Sequence, residues 1–449
     1  MSPLTLLLLL VLVVLELVCA GLNPNFTLVV GGDYRTTSPV TGKFIDSLAS
    51  LQEGHGSDWH AVGNSLPFPF KDVNGRPLGY EVFAMKILSR ERLVIVGGSF
   101  QGNGFKGVAQ FKADLQMWDN MKGGLDSSVT VKDIDYEEDY GLVYIVGYSY
   151  ENQKFNSKIV VWNVKEEKWT NFEVNNAPVE FTSAAFTKVR VCNNKDGRFM
   201  VVSSKSNLFI VDLQTRKCSI PFSTKNSLND FLLISEKDTS SISVIVVGTF
   251  SVDQIKNSAR VQFNTATFTL EDLKLFGSNN SIGINSIVFD SVNSKYFASR
   301  VEGAAISLDA DSSTWTEFGT PIGYMAQIFT MDGEIFIGNS DCSSGYPFYR
   351  FDRLNQRWQH FLLDTMGKYE NCILNYWITT ESSIIYNNYS SSISSSDNPK
   401  EEDYTLIGVI FGSVGGFILL VLIVVLIMSV LFSILKKLKK KNGENQSLL

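Results

Sequence analysis

The sequence predicts an all-β fold: a single β-propeller of about seven four-stranded blades, with six or eight also compatible, followed by one C-terminal transmembrane helix. Three observations predict it. A glycine-marked apolar strand recurs along the chain. Each copy has the same flanking strands. A run without charge, residues 405–435, then separates this region from a lysine-rich tail.

The recurring strand is clearest in LVIVGGSF (93–100), LVYIVGYSY (142–150), SVIVVGTF (243–250), EIFIGNS (334–340) and TLVVGGD (27–33). FMVVSS (199–204) and KYFAS (295–299) are weaker copies. Aligning Gly31, Gly97, Gly147, Ser203, Gly248, Ala298 and Gly338 gives a mean spacing of about 51 residues. Before each anchor lies another apolar segment, such as VFAMKIL or VTVKDIDY, joined by a short polar turn such as EEDYG (137–141). After it comes a third segment, such as GVAQFKAD or KIVVWNV. A fourth opens on an aromatic: Trp59, Trp118, Trp169, Trp315 or Trp358. Val, Ile and Phe dominate these segments, and Gly, Asn, Asp and Ser bound them, which is strand chemistry with hairpin punctuation.

Each residue type has a physical role in such a ring. A glycine-marked innermost strand allows close backbone approach around the axis. A tryptophan covers the gap between neighbouring sheets and offers its N–H to a partner. The first copy begins on an innermost strand, and CILNYWITTESSIIYNN near the far end opens a further unit. The two ends of the region therefore complete the last blade together.

The segment LVIVGGSF…GVAQFKADLQMWDNM, with Gly97, Gly98, Asp114 and Trp118, resembles the kelch and galactose-oxidase-like propellers. IVVWNVKEEKWTNF (159–172) and FYRFDRLNQRWQHF (348–361) match the same half-repeat. Residues 93–145, with Gly123-Gly124-Leu125 after the tryptophan, are similar to membrane-anchored fungal cortical polarity markers. The resemblance covers most of residues 26–388 and implies the fold. This chain is far shorter than the fungal proteins, and their polarity role is not carried over.

The segments outside the repeats set the topology. Residues 1–20 read as a signal peptide, with the apolar run LTLLLLLVLVVL (4–15) and cleavage after Ala20. Residues 26–388 are the ectodomain, and 389–404 form a serine-rich acidic stalk that cannot bury enough surface to fold. Residues 405–435 exceed the ~20 that cross a bilayer. Glu401, Glu402 and Asp403 precede that run, and Lys436, Lys437, Lys439, Lys440 and Lys441 follow it. The positive-inside rule then places the tail 436–449 in the cytoplasm. Gly408, Gly412 and Gly416 share one helix face, the small-residue spacing of a homodimer.

Secretion gives meaning to the sequons at Asn25, Asn279 and Asn388 and to the four cysteines left after cleavage. Proximity pairs Cys192 with Cys218 and Cys342 with Cys372, with the two other connectivities open. The tail ends Glu444-Asn-Gln-Ser-Leu448-Leu449, which looks like an acidic dileucine signal. That resemblance implies clathrin adaptor complexes as partners and sorting to the plasma membrane, the endosomal–lysosomal membranes, or both.

Composition and motifs disfavour several functions. Without leader and tail, the ectodomain and stalk together carry a net charge of about −10, unlike a nucleic-acid binder. The only histidines are His55, His60 and His360, without the spacing that the copper site of the galactose-oxidase resemblance would need. SLDADSSTWTEF (307–318) comes near the structural Asp-box of sialidases but is one residue too long. The carboxylates Asp133, Asp135, Glu137, Glu138 and Asp139 offer oxygens to calcium or form a solvated turn. No HExxH, GxSxG or P-loop pattern occurs. The expectation is a non-enzymatic receptor or adhesion-type module without cofactor, taking a protein or glycan ligand on its top face or central channel. The alternatives are an endolysosomal hydrolase or oxidase on the same scaffold, and a structural membrane glycoprotein.

Overall fold

The computed structural model describes residues 27–37, 44–52, 60–62, 81–275, 282–339, 348–360 and 373–379, with short breaks at 103, 116, 127–128, 236, 253–254, 311, 324 and 332. The chain divides into two compact units, Met1–Asn388 and Tyr389–Leu449, and every described element belongs to the first. These elements are nearly all β. The one α-helix among the described residues is the four-residue Val179–Thr182. No described helix is long and apolar enough to cross a membrane. The span 405–435, with Gly408, Gly412 and Gly416, lies outside the described residues, as do the leader, stalk and tail with Glu444, Leu448 and Leu449.

The strands form seven four-stranded antiparallel sheets in a β-propeller-like arrangement. Sheets I to VI follow in chain order over 81–119, 129–171, 186–223, 227–275, 284–318 and 325–360. A closing sheet joins both ends of the region. Strand Ile373–Thr379 pairs with Thr27–Thr37, which pairs with Phe44–Gln52 and then His60–Ala61. The expected shared closure is thus present, made by one C-terminal strand. The innermost strands contact one another in a cycle that runs from sheet I through VI to Ile373–Thr379 and back.

One expectation needs correction. The glycine-marked strand is second in each sheet, not innermost. The innermost strands are Glu81–Leu88, Val129–Glu137, Phe186–Asn194, Ser227–Ser235, Ile284–Asp290, Met325–Met331 and Ile373–Thr379.

Packing explains the apolar runs. In Ser241–Val252, Ile242, Val244 and Val246 enter the layer shared with sheet III, while Ile245 and Val247 enter the layer shared with sheet V. All five are fully buried. A strand covered on both faces reads as continuous hydrophobicity even though its side chains alternate. A lone four-stranded sheet would leave both of these faces in water, so burial, at ~25 cal/mol per Å² of apolar surface, favours the stacked ring.

The tryptophans lock neighbouring sheets together. Trp118 Nε1 donates to the Val62 carbonyl at 3.2 Å, Trp169 Nε1 to the Met121 carbonyl at 2.6 Å and Trp315 Nε1 to Ser258 Oγ at 2.9 Å. Ser258 belongs to the preceding sheet, and Val62 and Met121 follow directly on its outermost strand. Trp59 lies outside the described residues.

The pairing of Cys192 with Cys218 is also corrected. They sit on Phe186–Asn194 and Cys218–Ser223, the two edge strands of sheet III. Three strand spacings separate them, about 14 Å, against a Cα reach of about 7 Å for a disulfide. They also face opposite ways: Cys192 packs into the layer with sheet IV and Cys218 into the layer with sheet II. Cys342, Cys372 and the sequons at Asn25, Asn279 and Asn388 lie outside the described residues.

Candidate functional site

Six innermost strands share an irregularity that no periodicity of the sequence announces. In each, one extra residue breaks the register with the glycine-marked strand, forming a β-bulge. The breaks lie between Val82 and Ala84, Val131 and Asp133, Phe186 and Lys188, Leu228 and Asp230, Ile284 and Ser286, and Met325 and Ile328. The residues inside them include Phe83, Lys132, Thr187, Asn229, Asn285 and Gln327. All six line a single cavity of about 550 Å³, within the ~300–1,000 Å³ usual for ligand sites. The cavity lies among the innermost strands, and each of the six side chains is half-buried.

The anchors of the sequence repeat make room for these bulges. Gly97 and Ser203 pair with the residue after a bulge, Gly147 and Gly248 with the residue before it. A Cβ on Gly147 would strike the Thr130 carbonyl, and one on Gly248 the Ser227 carbonyl. Ala298 pairs with Ile287, one residue beyond the bulge, so Ser299 is the better match in sheet V.

The residue after the bulge fixes the neighbouring sheet. Asp133 Oδ2 accepts from the Val189 N–H at 2.9 Å and from Arg190 Nη1 at 2.6 Å. Asp230 repeats the arrangement two sheets on. Its Oδ2 accepts from the Ile287 N–H at 3.1 Å and Ser286 Oγ at 3.0 Å, and its Oδ1 pairs with Lys188. Val189 and Ile287 occupy the same register position, so the same bond recurs between sheets II and III and between IV and V. Burial works against the Arg190 charge, but the carboxylates of Asp133, Asp135 and Asp230 outweigh it and hold the guanidinium more firmly protonated than usual.

The acidic cluster therefore has a structural role. Asp135 accepts from the Val191 N–H at 2.7 Å and Lys86 Nζ at 2.6 Å, and Glu137 accepts from Arg198 Nε at 2.7 Å and the Tyr144 hydroxyl at 3.1 Å. For Asp133, Asp135 and Glu137 the calcium reading gives way to these bonds, and Glu138 and Asp139 stand exposed in the turn. Among the described residues no group of metal-type ligands gathers.

Around the cavity, Lys132 Nζ stands 3.3 Å from the centroid of the Phe83 ring and 5.8 Å from that of Tyr148, a cation held between aromatic faces. Asn229 Nδ2 donates to the Ile284 carbonyl at 2.8 Å, and Asn285 Nδ2 to the Met325 carbonyl at 2.6 Å. These bonds fix each carboxamide plane across a sheet junction. Thr187 Oγ1 bonds Ser203 Oγ at 3.0 Å. The arrangement offers fixed amides and hydroxyls, one aromatic-flanked ammonium and two neutralised ion pairs. It suits binding. His60 and His360 lie on the outermost strands of the closing sheet and sheet VI, away from the cavity, and His55 is outside the described residues.

No protein-family model matches this sequence, kelch or other, and no curated protein matches it. Among solved structures, the extracellular domain of a one-component system from B. thetaiotaomicron aligns over 69% of this chain at 12% identity and a TM-score of 0.43. The chain spans 37% of that protein. A chain of the Mitotic Checkpoint Complex aligns over 65% of this chain and 77% of its own length, at 8% identity and a TM-score of 0.41.

Of the residues that line the cavity, only Asp133 was singled out in the sequence, as part of the acidic cluster, and none of the six bulged residues was. Phe83, Lys132, Asn285 and Gln327 belong to segments that read as plain strands, and Thr187 and Asn229 to none that the sequence singled out. The available signal was the anchor glycine. A glycine opposite an otherwise apolar strand is a mark of a bulge, and it points to the residue that leaves the ladder.

Proposed function

We propose that this chain is a membrane-anchored, seven-bladed propeller that binds a ligand at the mouth of its central channel and performs no chemistry on it. The convergence of six bulged side chains on one cavity carries this reading. Bulges that recur at one register position re-aim one side chain per sheet without altering the hydrophobic layers behind it. That is how a fixed scaffold presents a variable recognition surface. Against a hydrolase or oxidase, the cavity carboxylates Asp133 and Asp230 each hold a cation and a backbone N–H of the next sheet.

The span 405–435 and the basic tail support a type I topology with the binding face outside or in a lumen. Glu444, Leu448 and Leu449 direct endolysosomal sorting through adaptor complexes. Two measurements test the two halves. Tagged protein with Leu448→Ala and Leu449→Ala shifts toward the cell surface, and an unchanged distribution removes the sorting half. Full-length protein in detergent micelles, probed on a printed glycan and peptide array, loses its signals when Gln327→Trp fills the channel mouth. Signals that survive that plug place binding elsewhere and end the channel reading.

A further inference from the structure

Given the reading of the channel mouth as a binding site, its lining narrows the ligand class. The six bulged residues divide the mouth into two arcs. Sheets III to VI present Thr187, Asn229, Asn285 and Gln327, a hydroxyl and three carboxamides in succession. Sheets I and II present Phe83 and Lys132, stacked on each other. One arc is neutral and hydrogen-bonding, and the other carries an aromatic face.

The carboxamides are held in place. Asn229 Nδ2 donates to the Ile284 carbonyl at 2.8 Å and reaches Asn285 Oδ1 at 3.5 Å, while Asn285 Nδ2 donates to the Met325 carbonyl at 2.6 Å. The two groups stand side by side across the junction of sheets IV and V. Both N–H groups of Asn229 are thereby used, and its Oδ1 remains an acceptor. Asn285 keeps one N–H. Among the described residues neither of these takes a further hydrogen bond. A fixed acceptor beside a fixed donor suits neighbouring hydroxyls, each of which both donates and accepts. Groups already ordered by cross-sheet bonds lose little entropy when a ligand engages them. An apolar side chain seated there would instead leave both unpaired, which is costly. Four of the charged side chains in the lining are spent on one another, Lys188 on Asp230 and Arg190 on Asp133.

The aromatic arc continues outward. The second and third strands of sheet II, Leu142–Glu151 and Lys154–Asn163, run past the bulge as a hairpin. Tyr148 and Tyr150 share one face of it, and Phe155 stands opposite Tyr150. The Tyr148 ring lies 5.8 Å from Lys132 Nζ, and the Phe155 ring lies 5.1 Å from Tyr148 and 5.0 Å from Tyr150. A file of rings thus leads from the cavity to the rim, where Tyr150 is 57% and Phe155 43% exposed. The electron-rich face of such a ring attracts the polarised C–H face of a pyranose.

We infer that the channel mouth binds the end of a neutral oligosaccharide. Its terminal ring sits in the cavity with neighbouring hydroxyls on Asn229 and Asn285, and the following rings lie along Tyr150 and Phe155.

The test uses full-length protein in micelles of a sugar-free detergent. The probes are linear tetrasaccharides of glucose, mannose, galactose and N-acetylglucosamine, each with its monosaccharide. At least one tetrasaccharide binds, with an affinity that added salt leaves unchanged. Its monosaccharide, too short to reach the rim, binds about tenfold more weakly. Tyr150→Ala combined with Phe155→Ala lowers tetrasaccharide affinity about tenfold and alters that of the monosaccharide less than about twofold. Asn285→Ala weakens both probes. Melting curves establish that each variant folds, and the exposed rim pair decides alone where Asn285→Ala does not. Four tetrasaccharides that all fail to bind overturn the inference. So does an affinity that falls as salt is raised, a monosaccharide as tight as its tetrasaccharide, or tetrasaccharide binding unmoved by the rim pair. Array signals confined to peptides and removed by Gln327→Trp also overturn it, yet leave the channel-binding reading standing. Signals indifferent to Gln327→Trp end both.

Discussion

At the scale of the single residue, Cys218 shows how an environment decides chemistry. It begins the outer strand of sheet III and packs into the layer with sheet II. Burial pushes its thiol up to about 12, because a thiolate in an apolar layer lacks solvation. The folded state therefore holds the proton more tightly than the unfolded state. The sign follows: this thiol's contribution to stability is intact below pH ~9 and fades as pH climbs toward 12. With iodoacetamide at pH 8 and no reductant, Cys218 should resist alkylation in the native protein and react fully in guanidinium. Mass spectrometry that finds Cys218 already bridged to Cys192 would contradict the opposite-face placement. The sequence predicted an even set of cysteines once a leader bearing Cys19 is removed. It could not show which face of a sheet each one takes, because that depends on pairing register and not on separation along the chain.

At the scale of the element, glycine and bulge form one device. The bulge brings the innermost backbone toward the second strand, and the missing side chain admits it. Gly248→Ala drives a methyl into the Ser227 carbonyl. Overpacking of this kind costs roughly 1–3 kcal/mol. Chemical denaturation of Gly248→Ala should give a lower midpoint with an unchanged slope. Wild-type stability would mean that the bulge does not need the glycine. The repeated glycines, the strand order within each unit and the cross-sheet tryptophans were all legible in the sequence. The bulges were not. Residues such as VTVKDIDY alternate well enough to pass for a regular strand, and one extra residue becomes visible only when the partner's register is known. The site was hidden for the same reason, since Lys132 and Asn229 differ from their neighbours only in standing outside the ladder.

At the scale of the whole molecule, a cycle of innermost strands is closed by partners from opposite ends of the region. Val30 faces Tyr376 and Gly31 faces Asn375. In an antiparallel pair, alternate residues direct their N–H groups at the partner. Replacing both Asn375 and Tyr376 with proline must therefore remove at least one ladder bond. The melting midpoint of the full chain should fall by several degrees. Paired alanines at Asn375 and Tyr376, which keep both backbone N–H groups, serve as the control and should shift it less. Equal effects would argue that the closing ladder bonds add nothing to the ring. The asymmetry between well-read ends and a misread interior has a physical basis. Closure needs only that matching half-units stand at both ends. Naming the innermost strand needs the three-dimensional order of each sheet.

Pairing between Thr27–Thr37 and Ile373–Thr379 also imposes a schedule on synthesis. The earliest strand of the ring waits for its latest one, and its open edge stays available to other chains until Ile373–Thr379 is made. A premature stop anywhere upstream of Ile373 yields no smaller ring. It yields an arc with two raw ends, a species suited to chaperone retention or to aggregation.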